Sequence, residues 1–106
     1  MSKAIRFDHA ARAEVLEASR WYERQRHGLR AEFLAALDDA VARVGRIGHT
    51  LAVVKISPAL AVRRLHLARF PYSLVFIELP TRIRVLAVAH DRQRPRYWHT
   101  RVTPDE

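Results

Sequence analysis

Residues 82–90 read Arg82-Ile83-Arg84-Val85-Leu86-Ala87-Val88-Ala89-His90. Ile83, Val85, Ala87 and Ala89 alternate with Arg84, Leu86, Val88 and His90, the period of a β-strand. Both sets turn apolar in mid-segment, which predicts a central strand covered on both faces. Pro80-Thr81 just before it forms a tight turn, and residues 72–79 supply the strand on its other side. Further back, residues 61–67 alternate again. Arg64 and His66 fall on one face there, and Leu65 and Leu67 on the other. Pro71 suits a strand start or an edge.

Upstream of Gly48 the period changes to that of a helix. Ala11, Val15, Ala18 and Tyr22 fall on one helical face, predicting a first helix over about 8–26 with Asp8 as its N-cap. Gly28 sits where a left-handed residue ends that helix. Leu29 opens a second run in which Phe33, Leu37, Ala40, Val44 and Ile47 keep the same face, predicting a helix over about 29–46 closed by Gly48. So short a connection forces an antiparallel helical hairpin. Residues 4–7 alternate and give a short first strand. The expectation is an α+β domain in the order β-αα-βββ, with the hairpin packed on a small antiparallel sheet. One domain over residues 1–106 fits this length.

Composition narrows the function. Nineteen Lys and Arg face eleven Asp and Glu, a formal charge of +8. Only Lys3 and Lys55 are lysines, so the positive charge is nearly all arginine, whose planar fork suits phosphates and carboxylates. The acids concentrate in residues 8–39; between 40 and 104 only Glu78 and Asp91 occur. A nucleic acid or an acidic protein is the expected partner. The absence of cysteine excludes disulfides, thiolate zinc sites and a cysteine nucleophile. No apolar run approaches the roughly 20 residues of a membrane span, and residues 1–10 lack a signal-peptide core, so a cytoplasmic protein is expected. With glycines only at 28, 45 and 48 there is no phosphate-cradling loop, and no cofactor or metal is expected. Ser2, Ser19, Ser57 and Ser73 lack the glycine flanks of a nucleophile elbow.

Two clusters carry candidate chemistry. His90 to His99 packs Arg92, Arg94, Arg96, Tyr97 and Trp98 into ten residues. Cations there can neutralise phosphates while rings stack on bases; alternatively the rings fold back on the core. The second is Arg63-Arg64-Leu65-His66-Leu67-Ala68-Arg69. A metal-free ribonuclease needs proton transfer, which histidine suits, and charge stabilisation, which arginine suits. Trp21 lies one step off the apolar face of the first helix, either rimming the core or anchoring a partner.

The ordered set Phe7, Ala10-x-x-Ala13-Glu14, Glu17-Ala18-x-x-Trp21-Tyr22-Glu23, Gly28-Leu29, Phe33-Leu34, Arg63-Arg64-x-x-Leu67, Arg69-Phe70-Pro71-Tyr72 and Val85-Leu86-Ala87-Val88-x-His90, then Arg92, Arg94, Pro95, Tyr97 and Trp98, resembles the RelE/ParE superfamily of type II toxins. It looks most like members described as plasmid-stabilisation proteins. The resemblance implies a growth-inhibiting, stress-linked toxin held in a hetero-oligomer by a cognate antitoxin with an acidic binding segment. It implies either poisoning of DNA gyrase, as by ParE-like members, or ribosome-dependent cleavage of mRNA, as by RelE-like members. It places Arg64 and His66 where RelE-like chains carry lysines, Ser73 where they carry an arginine, Arg92 at a C-terminal basic position, and Trp98, with Tyr97 adjacent, at a tyrosine. The catalytic candidates are Arg64, His66, His90, Arg92, Arg94 and Tyr97. The candidates for binding a target or nucleic acid are Arg63, Arg69, Arg96 and Trp98, with Trp21 on a partner surface. Outside the family, the reading is a small basic nucleic-acid-binding module.

Overall fold

A computed structural model describes residues 3–56 and 60–103. Ser2, Ser57 and Pro104 lie outside the described residues. In chain order the elements are β1 (Ala4–Phe7), α1 (His9–Gln25), α2 (Leu29–Ile47), a 3₁₀ turn (Gly48–Thr50), β2 (Val53–Ile56), β3 (Ala61–His66), β4 (Tyr72–Glu78), β5 (Arg82–His90) and a 3₁₀ turn (His99–Arg101). The described strands form one sheet in the order β1-β5-β4-β3-β2. The α+β architecture stands, with two corrections to the sheet. It gains β2, because the apolar run from Leu51 does not end after the hairpin but turns back along β3. It is mixed rather than antiparallel, because β1 runs parallel to β5 while the other pairs are antiparallel. The long connection from β1 to β5, through two helices and three strands, lets the two pair in parallel.

The helical hairpin forms where the spacing placed it. Ala11, Ala18 and Tyr22 of α1 and Phe33, Leu37, Ala40 and Val44 of α2 are buried, whereas Ile47 is 37% exposed. They pack on Leu65, Leu67, Phe70, Leu74, Phe76, Ile83, Val85 and Val88 to make the first core. Each fully buried side chain of this size contributes about 1.5–3 kcal/mol. Gly28 has φ 90°, but as the residue preceding α2 rather than as the end of α1, which closes at Arg26 in extended conformation. The exposed N-terminus of α2 is satisfied from α1. The Glu23 carboxylate accepts from Gly28 N (3.2 Å) and Arg30 N (3.1 Å), and these bonds hold its pKa below the usual carboxylate value. Gly48 is favoured by space rather than by angle, since a Cβ there would lie 3.1 Å from the Phe76 ring, a tight contact.

β5 carries a departure that matters for the site. Val75 pairs with Ala87, but Phe76 pairs with Val85, so Leu86 is an extra residue in a bulge. The bulge resets the alternation expected from sequence. Ile83 and Val85 join the first core, and beyond the bulge Val88 does too. Leu86, Ala87 and Ala89 join a second core on the opposite face with Val62, Val75, Ile77, Trp98 and Val102. The tail thus covers the second face, and β5 is buried on both, as its composition requires.

Candidate functional site

The outer edge of β5 is only half covered by β1, whose last paired residue, Phe7, stands opposite Val85. Beyond that point side chains take the place of a strand. Val88 N donates to Glu14 Oε1 (2.9 Å), Arg101 Nη1 donates to Leu86 O (3.0 Å) and His90 N donates to Gln93 Oε1 (2.8 Å). Glu14 also receives Arg101 Nη2 (3.2 Å) and the Tyr97 hydroxyl (2.7 Å). Burial, then the hydrogen bond to Glu14 and that carboxylate's charge, push the Tyr97 pKa well above its ordinary value. Tyr97 is a donor locked onto the edge of the sheet and does not serve as a base near neutral pH.

At the far end of β5 lies a buried ion pair. Arg84 donates through Nε and Nη2 to the two carboxylate oxygens of Asp8 (2.8 Å each), with side-chain exposures of 3% and 9%. Arg84 also reaches the carbonyls of Arg101 and Thr103 and so pins the tail. Asp8 does precede α1, but its carboxylate caps no helix N–H. The buried arginine claims both oxygens, overriding the local preference.

The bulge divides the catalytic candidates between the two faces. His90 lies on the helical side, edge-on to Tyr72 with ring centroids 4.9 Å apart. Its Nδ1 accepts from Arg92 N (2.9 Å). With Trp21, Tyr22, Tyr72 and Glu17 it lines a groove of about 510 Å³. Trp21 is 49% exposed on the rim of that groove, edge-to-face with Tyr22. Burial, with the charges of Tyr22 and Glu17 adding to it, raises the Tyr72 pKa.

Arg64 and His66 stand on the other face. His66 Nδ1 is hydrogen-bonded to Ser73 Oγ (2.8 Å), its Nε2 lies 3.6 Å from Asp91 Oδ2, and Arg64 Nη2 lies 3.8 Å from Asp91 Oδ1. The Asp91–His66–Ser73 chain has the composition of a hydrolytic triad, which local sequence did not suggest. Ser73 is fully buried between β3 and β5, so its hydroxyl orients the imidazole and does not meet a substrate.

The binding candidates also separate. Arg63 Nε donates to Leu51 O (2.9 Å). Arg69, at φ 71°, pairs with Glu32 (2.8 Å) and covers the Phe70 ring. Trp98 is 4% exposed and belongs to the second core. Arg92, Arg94 and Arg96 are exposed. Arg94 and Arg96 line a small cationic cleft with Lys55 and His99. The residues that sequence reading missed are Glu14, Arg84, Arg101 and Lys55. Arg84 had a signal, since an arginine inside an apolar strand needs a buried acid. The pairing of Glu14 with Arg101 had none, because 87 residues separate them.

Among the described residues no three His, Asp or Glu side chains are grouped to hold a metal ion, and no helix is long and apolar enough to cross a membrane.

No family model matches this sequence, and no curated protein does. Among solved structures, a chain of the chromosomal ParDE TA system from P. aeruginosa superposes with a TM-score of 0.69. The match covers 84% of this chain and 96% of that one, at 17% identity. The fold is RelE/ParE-like. Within this fold Arg64 and His66 stand on one face of the sheet and His90 on the other, while Tyr97 and Trp98 hold the tail down.

Proposed function

We propose that this chain is the toxin of a type II toxin–antitoxin module. In this reading a cognate antitoxin neutralises it, and it inhibits growth by binding a macromolecular target, DNA gyrase first among them. The observation that carries the proposal is the match to a chain of a ParDE TA system over nearly the whole of both chains. The formal charge of +8 suits an antitoxin with an acidic binding segment.

The choice of a binding mode over cleavage rests on the scatter of the candidate catalytic groups. A metal-free ribonuclease must bring acid, base and charge stabiliser within reach of one phosphate. Here His90 is across the sheet from Arg64 and His66, Ser73 supplies no charge, and the Tyr97 hydroxyl is committed to Glu14. A binding toxin needs none of that convergence. The test is a supercoiling assay with purified gyrase and purified toxin. Inhibition relieved by the product of the adjacent reading frame supports the proposal. Full supercoiling at toxin excess removes gyrase as the target.

A second reading, an mRNA-cleaving toxin working with the ribosome, is favoured by one cluster. Arg64, His66 and Asp91 sit together on the exposed side of β3, with the imidazole oriented by Ser73. In that reading His66 moves the proton and Arg64 meets the phosphate.

A further inference from the structure

Where the tail passes β2, the surface forms a cleft of about 390 Å³ lined by Lys55, Arg94, Pro95, Arg96, Tyr97 and His99. Its charge composition is one-sided. None of the lining residues is acidic. Elsewhere some exposed arginines are answered by a carboxylate, Arg26 and Arg69 by Glu32 and Arg64 by Asp91, whereas others, Arg20 and Arg43 among them, have none among the described residues but stand apart on the helices. Here the Lys55 ammonium and the Arg94 guanidinium have no hydrogen-bond or ion-pair partner among the described residues.

The cleft is also held in shape. Arg96 adopts φ 60°, a left-handed conformation unfavourable for a non-glycine residue. Its Nη2 donates to Val54 O (3.2 Å) on the edge strand, and its own carbonyl oxygen lies 3.0 Å from His99 Nδ1. These bonds tie the tail to β2, and His99 Nε2 has no hydrogen-bond partner among the described residues. Tyr97 beneath is anchored on Glu14, and Trp98 is buried. Like charges gathered without an acid repel one another, and a bound anion relieves that repulsion.

We propose that this cleft, through Lys55, Arg94, Arg96 and His99, binds the phosphodiester backbone of nucleic acid. An acidic peptide offers similar charge, but stable peptide docking draws on aromatic or aliphatic anchors set in pockets. The cleft provides no such pocket, because its only large ring, Tyr97, packs into the second core. A polyphosphate takes its affinity from charge neutralisation and counterion release, for which this lining suffices. With Tyr97 and Trp98 turned inward, His99 is the exposed ring among the lining residues, and the cations outnumber it, so the cleft draws on the backbone more than on the bases. The site does not depend on the toxin reading, and its test uses purified protein without a growth readout.

The test is fluorescence anisotropy of the full chain with labelled oligothymidine, and with a duplex of equal length, across about 50–200 mM salt. Three permanent cations give an expected slope of log K against log salt of about −2 for the single strand. Lys55→Gln/Arg94→Gln should make that slope shallower by about 1.4, the share of two cations. The charge-matched control, Arg20→Gln/Arg43→Gln on the exposed faces of α1 and α2, should keep the wild-type slope. Circular dichroism checks the fold of each variant, and Arg94→Gln alone carries the test if the pair misfolds. Binding to one oligonucleotide form only, lost in the cleft variant, supports the site and names its source. Equal losses in cleft and control variants overturn it, because overall charge then explains binding. Salt-insensitive binding, or binding to polyglutamate with none to either oligonucleotide, overturns it as well.

Discussion

Replacing Arg84 by methionine should cost this fold about 3–5 kcal/mol, the usual loss when one partner of a buried ion pair is removed. The geometry places Arg84 at the upper end of that range. It makes two 2.8 Å bonds to Asp8, which is itself buried, and holds the carbonyls of Arg101 and Thr103. Without the guanidinium the Asp8 carboxylate is left in an apolar setting, and the tail loses its fixing point over the second core. Urea unfolding measures the effect directly. With a slope of about 1–3 kcal/mol per molar urea, the midpoint should fall by about 1 M or more. The same reasoning demands recovery. Asp8→Leu removes the stranded charge, and it sacrifices no cap, since that carboxylate bonds no helix N–H. The double variant Asp8→Leu/Arg84→Met should therefore regain most of the loss, as apolar replacements of buried ion pairs do. A single-variant loss below about 1 kcal/mol, or a double variant no better than Arg84→Met, would refute the pairing as the fastening of the tail.

Leu37→Ala should cost about 2–5 kcal/mol as a truncation inside the first core, read by thermal unfolding. Gly48→Ala should destabilise by about 1–3 kcal/mol, because the new methyl meets the fully buried Phe76 ring; unchanged stability would show that the ring yields. Burial and Glu14 raise the Tyr97 pKa in the fold, so the fold favours the neutral phenol. That contribution is complete below the unfolded tyrosine value of about 10 and is lost as pH rises beyond it. Tyr97→Phe should therefore weaken the protein at neutral pH by about 1 kcal/mol and flatten its alkaline decline, measured as melting temperature against pH. Ser73→Ala should leave growth inhibition intact, since Ser73 only orients His66; loss of inhibition in folded protein would give that hydroxyl a direct role.

The elements with strict periodicity were legible. Phe33, Leu37, Ala40 and Val44 repeat as a helix must, and they are the buried face of α2. Residues 82–90 proved to be an interior strand with those bounds. Three things were not legible, each for a physical reason. Strand β2 reads Val-Val-Lys-Ile, whose adjacent valines break the apolar–polar alternation that marks β1. The bulge at Leu86 leaves no local mark, because every residue around it is apolar and suits either face. The side chains that replace a strand along β5, Glu14 and Arg101, come from opposite ends of the chain. The bulge decided how the site reads. Simple alternation put His90 beside Arg84 and Leu86, whereas the extra residue carries it to the groove by Trp21. Of the aromatic pair in the tail, Trp98 followed its alternative as a core residue.

The proposed toxin arrests growth without cutting message. The direct test is a map of mRNA 5′ ends in cells minutes after this protein alone is induced. Growth arrest with an unchanged map is the expected result. Arrest accompanied by new ends in frame with codons, lost in His66→Ala, would contradict it and establish the cleaving reading instead.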